Sequence, residues 1–351
     1  MRRLQKGGVL LFCLVVGCEG TLGGAGNASG ADGGRGSGDA SPGLDGAAQQ
    51  DAPSNDGAPG GGGPNVDRTD PKLHEWELDP AELDPLIADS TGIEYAALDT
   101  RVAPLGRLVI FLPGANNLAI WWADHARLLS SFGFHAVVPH YNNRWSTNGT
   151  CNGQGADCSL NTRWEALVGE DVSPAITIAR RDSAEGRVVR MLEHLRGEHP
   201  GGDWGYYLTE EGGLRYDRIV IAGISHGAAS AGLYGERRAF TRVVMHASGP
   251  AGTKAAAKAT PVSEWYGFVH TEDGAYEAIT DAWAYFEMEG TLTSVDGASP
   301  PYGGAHQLVS NVPIGDPDEA HIAVCVSGPA PMMGGDYTYE PAWRYLYDAP
   351  E

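Results

Sequence analysis

Arg218-Ile219-Val220-Ile221-Ala222-Gly223-Ile224-Ser225-His226-Gly227-Ala228-Ala229-Ser230-Ala231-Gly232-Leu233-Tyr234 is the stretch on which the fold turns. Ile219 to Ala222 is apolar at every position, the pattern of a strand covered on both faces. From Ala228 the residues are small and begin a helix. Between the two lies Gly223-Ile224-Ser225-His226-Gly227, a G-x-S-x-G pattern. Glycines on either side let the chain reverse sharply from strand to helix and lift the serine hydroxyl above the sheet at a helix N-terminus.

Outward from this point the chain alternates strands and helices. Residues 92–98, 108–112, 135–139, 218–222, 241–246, 265–270 and, more weakly, 306–310 read as strands. Residues 119–132 and 175–199 have helical spacing of apolar side chains, the second ending before Pro200-Gly201-Gly202. Such alternation predicts a mostly parallel central sheet with helices on both faces. Ile322-Ala323-Val324-Cys325-Val326 reads as extended, with Cys325 a buried free thiol.

With the elbow in that context, residues 75–346 resemble the α/β-hydrolase superfamily of serine hydrolases. The resemblance implies Ser225 as nucleophile and a triad in the chain order Ser, acid, His. The acid position follows the strand ending at His270; Asp273, beside Gly274, is preferred to Glu272, and Asp281 lies in a helical stretch. The base position follows the last strand and falls on His321; His306 starts that strand and reads as structural. Two backbone amides are implied as the oxyanion hole: His226, after the nucleophile, and Ala115 in Leu112-Pro113-Gly114-Ala115-Asn116, with Asn116 as fallback. The chain has Pro113-Gly114 where the superfamily often has His-Gly, and an extended segment after His321 where it usually has a helix. The implied activity is cleavage of a carboxylic ester through an acyl-enzyme. No cofactor is required, and no metal motif such as H-E-x-x-H is present. The same architecture also serves peptidases, acyltransferases and catalytically silent surface binding proteins, and these remain the alternatives.

The first residues point to export. Met1-Arg2-Arg3-Leu4-Gln5-Lys6 is basic and Val9 to Val16 is an apolar core too short to span a bilayer, as in a signal peptide. Val15-Val16-Gly17-Cys18 resembles the bacterial lipobox, which implies a signal of residues 1–18 and lipid on Cys18; a plain secretory signal is the alternative. Residues 19–68 are Gly, Ala, Ser, Asp and Pro with hardly a large apolar side chain, a composition that predicts a disordered tether ahead of a hydrolase domain at 69–351. A Gly-rich coil of that length spans about 40 Å. The expected location is extracytoplasmic, lipid-anchored to a bacterial membrane, with the anchor as the one membrane contact. In an oxidising compartment Cys151 and Cys158 should pair, closing a small ring that stabilises by about 2.5 kcal/mol.

A net charge of −21, without a Lys/Arg stripe, argues against nucleic acid as a partner. The interval Ala247 to Glu264 is too short for a large cap over the site. The polar loop from Tyr141 to Val172 is the better candidate wall, and Trp121, Trp122, Tyr141 and Trp145 are placed to line a pocket or to pack in its rim. A small-molecule or polymeric ester is the expected partner.

Overall fold

The computed structural model describes residues 62–145 and 147–350. The expected signal segment, Cys18 and the expected tether up to residue 61 lie outside the described residues. Attachment to the domain begins ahead of residue 69: the Asn65 amide donates to Asp203 Oδ2 (2.7 Å) and the Asp67 amide to Gly201 O (2.7 Å).

Nine strands form one sheet: β1 (Leu73–Leu78), β2 (Glu94–Asp99), β3 (Leu108–Leu112), β4 (His135–Val138), β5 (Ile219–Ile224), β6 (Arg242–His246), β7 (Trp265–His270), β8 (Thr293–Ser294) and β9 (Gln307–Ser310). Their order is β1-β2-β4-β3-β5-β6-β7-β9-β8. Pairings are antiparallel at β1/β2 and β2/β4 and parallel from β4 to β8. The chain leaves β3 for β4 on one side and returns to β5 on the other. That reversal opens a crevice at the carboxyl ends of β3 and β5, where open α/β sheets bind their ligands.

β5 shows why its apolar run is a central strand. Ile219 and Ile221 face a core built with the helices Cys158–Val168, Ala184–Glu198, His226–Arg237 and Tyr276–Tyr285. Val220, Ala222 and Ile224 face the opposite core, formed with the helices Ala123–Ser131 and Glu340–Tyr347. Both faces are dry, so alternation vanishes from the sequence.

Three expectations need correction. The helix read over 175–199 begins only at Ala184, capped by Ser183 Oγ on the Gly186 amide (3.1 Å). Ahead of it the backbone is gathered onto the buried Glu165 carboxylate, which accepts from the amides of Val172, Ser173 and Ile178 (3.1, 2.7 and 2.8 Å). The Tyr141 to Val172 loop is not continuous coil but carries the helix Cys158–Val168. The run 322–326 is not extended: Ile322 and Ala323 close the helix Pro317–Ala323, and Val324 to Val326 turn away buried. A short apolar run in a core has no period by which strand and helix differ. Cys151 and Cys158 form a disulfide, Cα atoms 5.7 Å apart, and Cys325 is a buried free thiol. Among the described residues no helix is long and apolar enough to cross a membrane.

Candidate active site

Ser225 sits between β5 and the His226–Arg237 helix with φ 55° and ψ −121°. A non-glycine residue held there stores strain of roughly 1–3 kcal/mol, persisting because its surroundings over-determine it. Its amide donates to His246 O at the end of β6 (2.9 Å), and its carbonyl accepts from the Ala229 amide (3.0 Å). The flanking glycines are demanded by close approach. A Cβ on Gly227 would lie 2.1 Å from Leu112 O and 2.5 Å from Pro113 O; one on Gly223 would lie 2.6 Å from the Gly227 carbonyl carbon. The elbow is thus pressed onto the end of β3.

Two strands away, the turn after β7 places Asp273. Its side chain is 2% exposed, Oδ1 accepts from the Ala275 amide (2.8 Å), and Oδ2 lies 2.8 Å from His321 Nδ1. Glu272 points elsewhere: its carboxylate accepts from the amides of Gly315 (2.6 Å) and Ile314 (3.1 Å), the Gly315 bond first among the causes that hold its pKa below the usual value. Asp281 is exposed on the Tyr276–Tyr285 helix. His321 is carried on the helix Pro317–Ala323, started by Pro317 and capped by Asp316, whose Oδ1 accepts from the amides of Asp318 (2.9 Å) and Glu319 (3.0 Å).

The carboxyl ends of β5 and β7 are about 10 Å apart, at ~4.8 Å per strand. His321 hangs from Asp273 on the same edge of the sheet as Ser225. Among the described residues, the Ser225 hydroxyl and His321 Nε2 make no hydrogen bond. Such a contact commonly tightens only with substrate in place. His306 lies at the start of β9, the opposite edge of the sheet from the elbow, with its ring stacked on Tyr266 (centroids 3.9 Å apart, 21° between planes).

The loop after β3 abuts the elbow: a Cβ on Gly114 would lie 3.5 Å from Ser225 Cβ. Asn116, with φ 59°, has its amide committed to Asn143 O (3.1 Å). The Ala115 and Gly114 amides donate to nothing among the described residues. The His226 amide lies in the first turn of its helix, where no intrahelical acceptor exists. Of the two donors expected in this loop, the Asn116 amide is spent on Asn143 O, while the Ala115 amide, like that of Gly114, has no acceptor among the described residues.

Of the four expected aromatics, Trp145 is buried against the His226 ring (centroids 4.5 Å) and Tyr141 is buried with its hydroxyl donating to Pro113 O (3.3 Å). Trp122 is buried and donates to Asn117 Oδ1 (3.2 Å), whereas Trp121 is 51% exposed. Burial, and after it the neighbouring Arg163 guanidinium, push the His226 imidazole well below its ordinary pKa. Sequence reading missed Arg163, which is buried, donates to His226 O (3.0 Å) and Ser230 Oγ (2.9 Å), and lies over the Trp145 ring. It also missed Asn143. Both sit in a polar segment whose sequence gives neither of them a motif or a periodicity.

Beneath the elbow, His125, His246 and Cys325 are fully buried with potential ligand atoms within 4.8 Å of one another. A directed hydrogen-bond chain occupies the imidazoles. The Val326 amide donates to His125 Nδ1 (3.2 Å), so His125 Nε2 carries the proton and faces Tyr347 Oη (3.2 Å), which in turn meets His246 Nε2 (3.0 Å). His246 Nδ1 makes no hydrogen bond among the described residues, and the chain through Tyr347 ties the strand that receives the Ser225 amide to the segment following His321.

The nine-stranded, mostly parallel sheet with helices on both faces, and the strand-to-helix elbow at the end of β5, give this chain the α/β-hydrolase fold. No family model matches the sequence, and no curated protein matches it. Solved structures similar to the chain include a Klebsiella pneumoniae protein described as a dienelactone hydrolase (12% identity, TM-score 0.36, covering 79% of this chain and 98% of that one). Another is esterase B from Lactobacillus rhamnosis with a tributyrin phosphonate inhibitor (13%, 0.37, 72% and 79%). A third is an S-formylglutathione hydrolase from Agrobacterium tumefaciens (15%, 0.35, 62% and 83%).

Proposed function

We propose that the chain is a serine hydrolase cleaving a carboxylic ester through an acyl-enzyme on Ser225. The observation that carries this reading is the buried Asp273 carboxylate 2.8 Å from His321 Nδ1, on the sheet edge where the elbow presents Ser225. A carboxylate on Nδ1–H keeps the neutral imidazole with a lone pair on Nε2, and stabilises the imidazolium that forms. Ser225 Oγ attacks the acyl carbonyl as His321 Nε2 takes its proton; the negative charge on the carbonyl oxygen meets the amides of Ala115 and His226, each worth ~3 kcal/mol in such a position. Collapse expels the alcohol, which leaves with the proton from His321. Water then repeats the sequence to release the acid and restore Ser225.

The test is turnover of p-nitrophenyl butyrate with and without added acceptor alcohols. Hydrolysis with free butyrate as the main product is expected. Predominant ester exchange would make the chain an acyltransferase, and no turnover of any activated ester would contradict the reading.

We also read the chain as a lipid-anchored surface enzyme, on the strength of Val15-Val16-Gly17-Cys18 and the tether composition. In a bacterial host the protein should fractionate with membranes, and Cys18→Ala should release it or leave it unprocessed. Unchanged fractionation would remove the anchor from the account.

A further inference from the structure

We propose that Asn143 is a positioning residue that shapes the loop after β3 so that the Ala115 amide is left to receive the oxyanion; this rests on the esterase reading above. Asn143 is 1% exposed and comes from the segment after β4, yet it grips residues 114–117 at three points. Its Nδ2 donates to Gly114 O (2.8 Å) and to Asn117 O (2.9 Å), and its own carbonyl accepts from the Asn116 amide (3.1 Å).

The rest of the loop is bonded from the same direction. Pro113 O accepts from Tyr141 Oη (3.3 Å), Gly114 O also from the Asn117 amide (3.1 Å), and Ala115 O from Asn117 Nδ2 (3.1 Å). Every carbonyl from Pro113 to Ala115 is thereby satisfied by protein. The left-handed backbone at Asn116, costly without a compensating partner, is held by the bond to Asn143 O. The Ala115 N–H lies in the same planar trans peptide as the Gly114 carbonyl and points opposite to it, so fixing Gly114 O fixes where the Ala115 amide points. The loop faces the elbow at Gly114, where an added Cβ would lie 3.5 Å from Ser225 Cβ, an ordinary contact distance. An oxyanion donor contributes only when preorganised, since a loop that reorients during the reaction spends its interaction on ordering itself.

Asn143→Asp tests this at nearly constant volume. It replaces a donor shared by two carbonyls with an acceptor that repels them. The expected result is a fall in kcat of about 10²–10³-fold, the loss seen when one oxyanion donor is removed, with KM within about threefold. Affinity for a trifluoromethyl ketone, which forms a tetrahedral adduct on the serine, should fall in parallel with kcat/KM. Asn143→Ala, which removes the grip without adding a charge, should show the same split, with the folded fraction read by circular dichroism. Either variant keeping kcat within about threefold of wild type while folded would overturn the proposal. So would equal losses in kcat and in folded fraction, or a rise in KM alone. A wild-type chain that neither turns over the ester nor binds the ketone would defeat the esterase reading itself, a result separable from failure confined to the Asn143 variants.

Discussion

Ser225→Ala will lower kcat for p-nitrophenyl butyrate by about 10⁴–10⁶-fold, while KM and the thermal midpoint stay close to wild type. The fold should be indifferent to the change. The Ser225 hydroxyl makes no hydrogen bond among the described residues, and the bonds that hold the elbow use its backbone: the amide to His246 O and the carbonyl to the Ala229 amide. Alanine inherits the same φ of 55° with a Cβ of the same kind, so the stored strain is unchanged. What disappears is the atom that forms the acyl-enzyme. Residual turnover would come from binding and from the amides of Ala115 and His226 acting on water attack. Adding His321→Ala to Ser225→Ala should cost little more, because members of such a set act as a unit. Retention of more than a few per cent of turnover in Ser225→Ala would mean that the chemistry runs elsewhere.

The second large effect belongs to Asp273→Asn, expected to reduce kcat by about 10⁴-fold. The argument is one of tautomers. Asp273 Oδ1 is committed to the Ala275 amide and can only be an acceptor there, so in the variant the amide NH2 group must face His321 Nδ1. Nδ1 then becomes the acceptor and the proton moves to Nε2, which can no longer take one from Ser225. The isosteric change preserves packing, so the defect should appear in kcat with the fold intact. Glu272→Gln is the matching control. It weakens bonds to the Ile314 and Gly315 amides and should change kcat by less than tenfold while loosening the approach to the Pro317–Ala323 helix. The reverse ranking of the two variants would place the acid at Glu272.

Legibility from sequence followed a physical divide. β5 and its elbow could be read because a strand dry on both faces is apolar at each position and the reversal leaves glycines where no Cβ fits. The order Ser225, Asp273, His321 followed from the elbow through the superfamily resemblance. The helix Cys158–Val168 stayed hidden because its buried face holds Thr162, Arg163 and Glu165, which are paired rather than apolar and so break the periodicity. β1 escaped notice as an edge strand whose Glu75 and Glu77 are exposed and whose residues are mostly half-buried. Asn143 left no trace at all. It is one asparagine in a polar stretch, and its part depends on three backbone groups nearly thirty positions away that only the folded chain brings to it.

Covalent labelling of the full chain with a fluorophosphonate, followed by mass spectrometry of the tryptic peptides, bears most directly on Ser225. Only an activated serine reacts at a useful rate. The peptide running from Ile219 to Arg237 contains two serines, Ser225 and Ser230, which fragmentation distinguishes. The account predicts one adduct per chain, on Ser225, absent in Ser225→Ala and formed far more slowly in Asp273→Asn. An adduct on Ser230 or on another peptide, or labelling that survives Ser225→Ala, would contradict it.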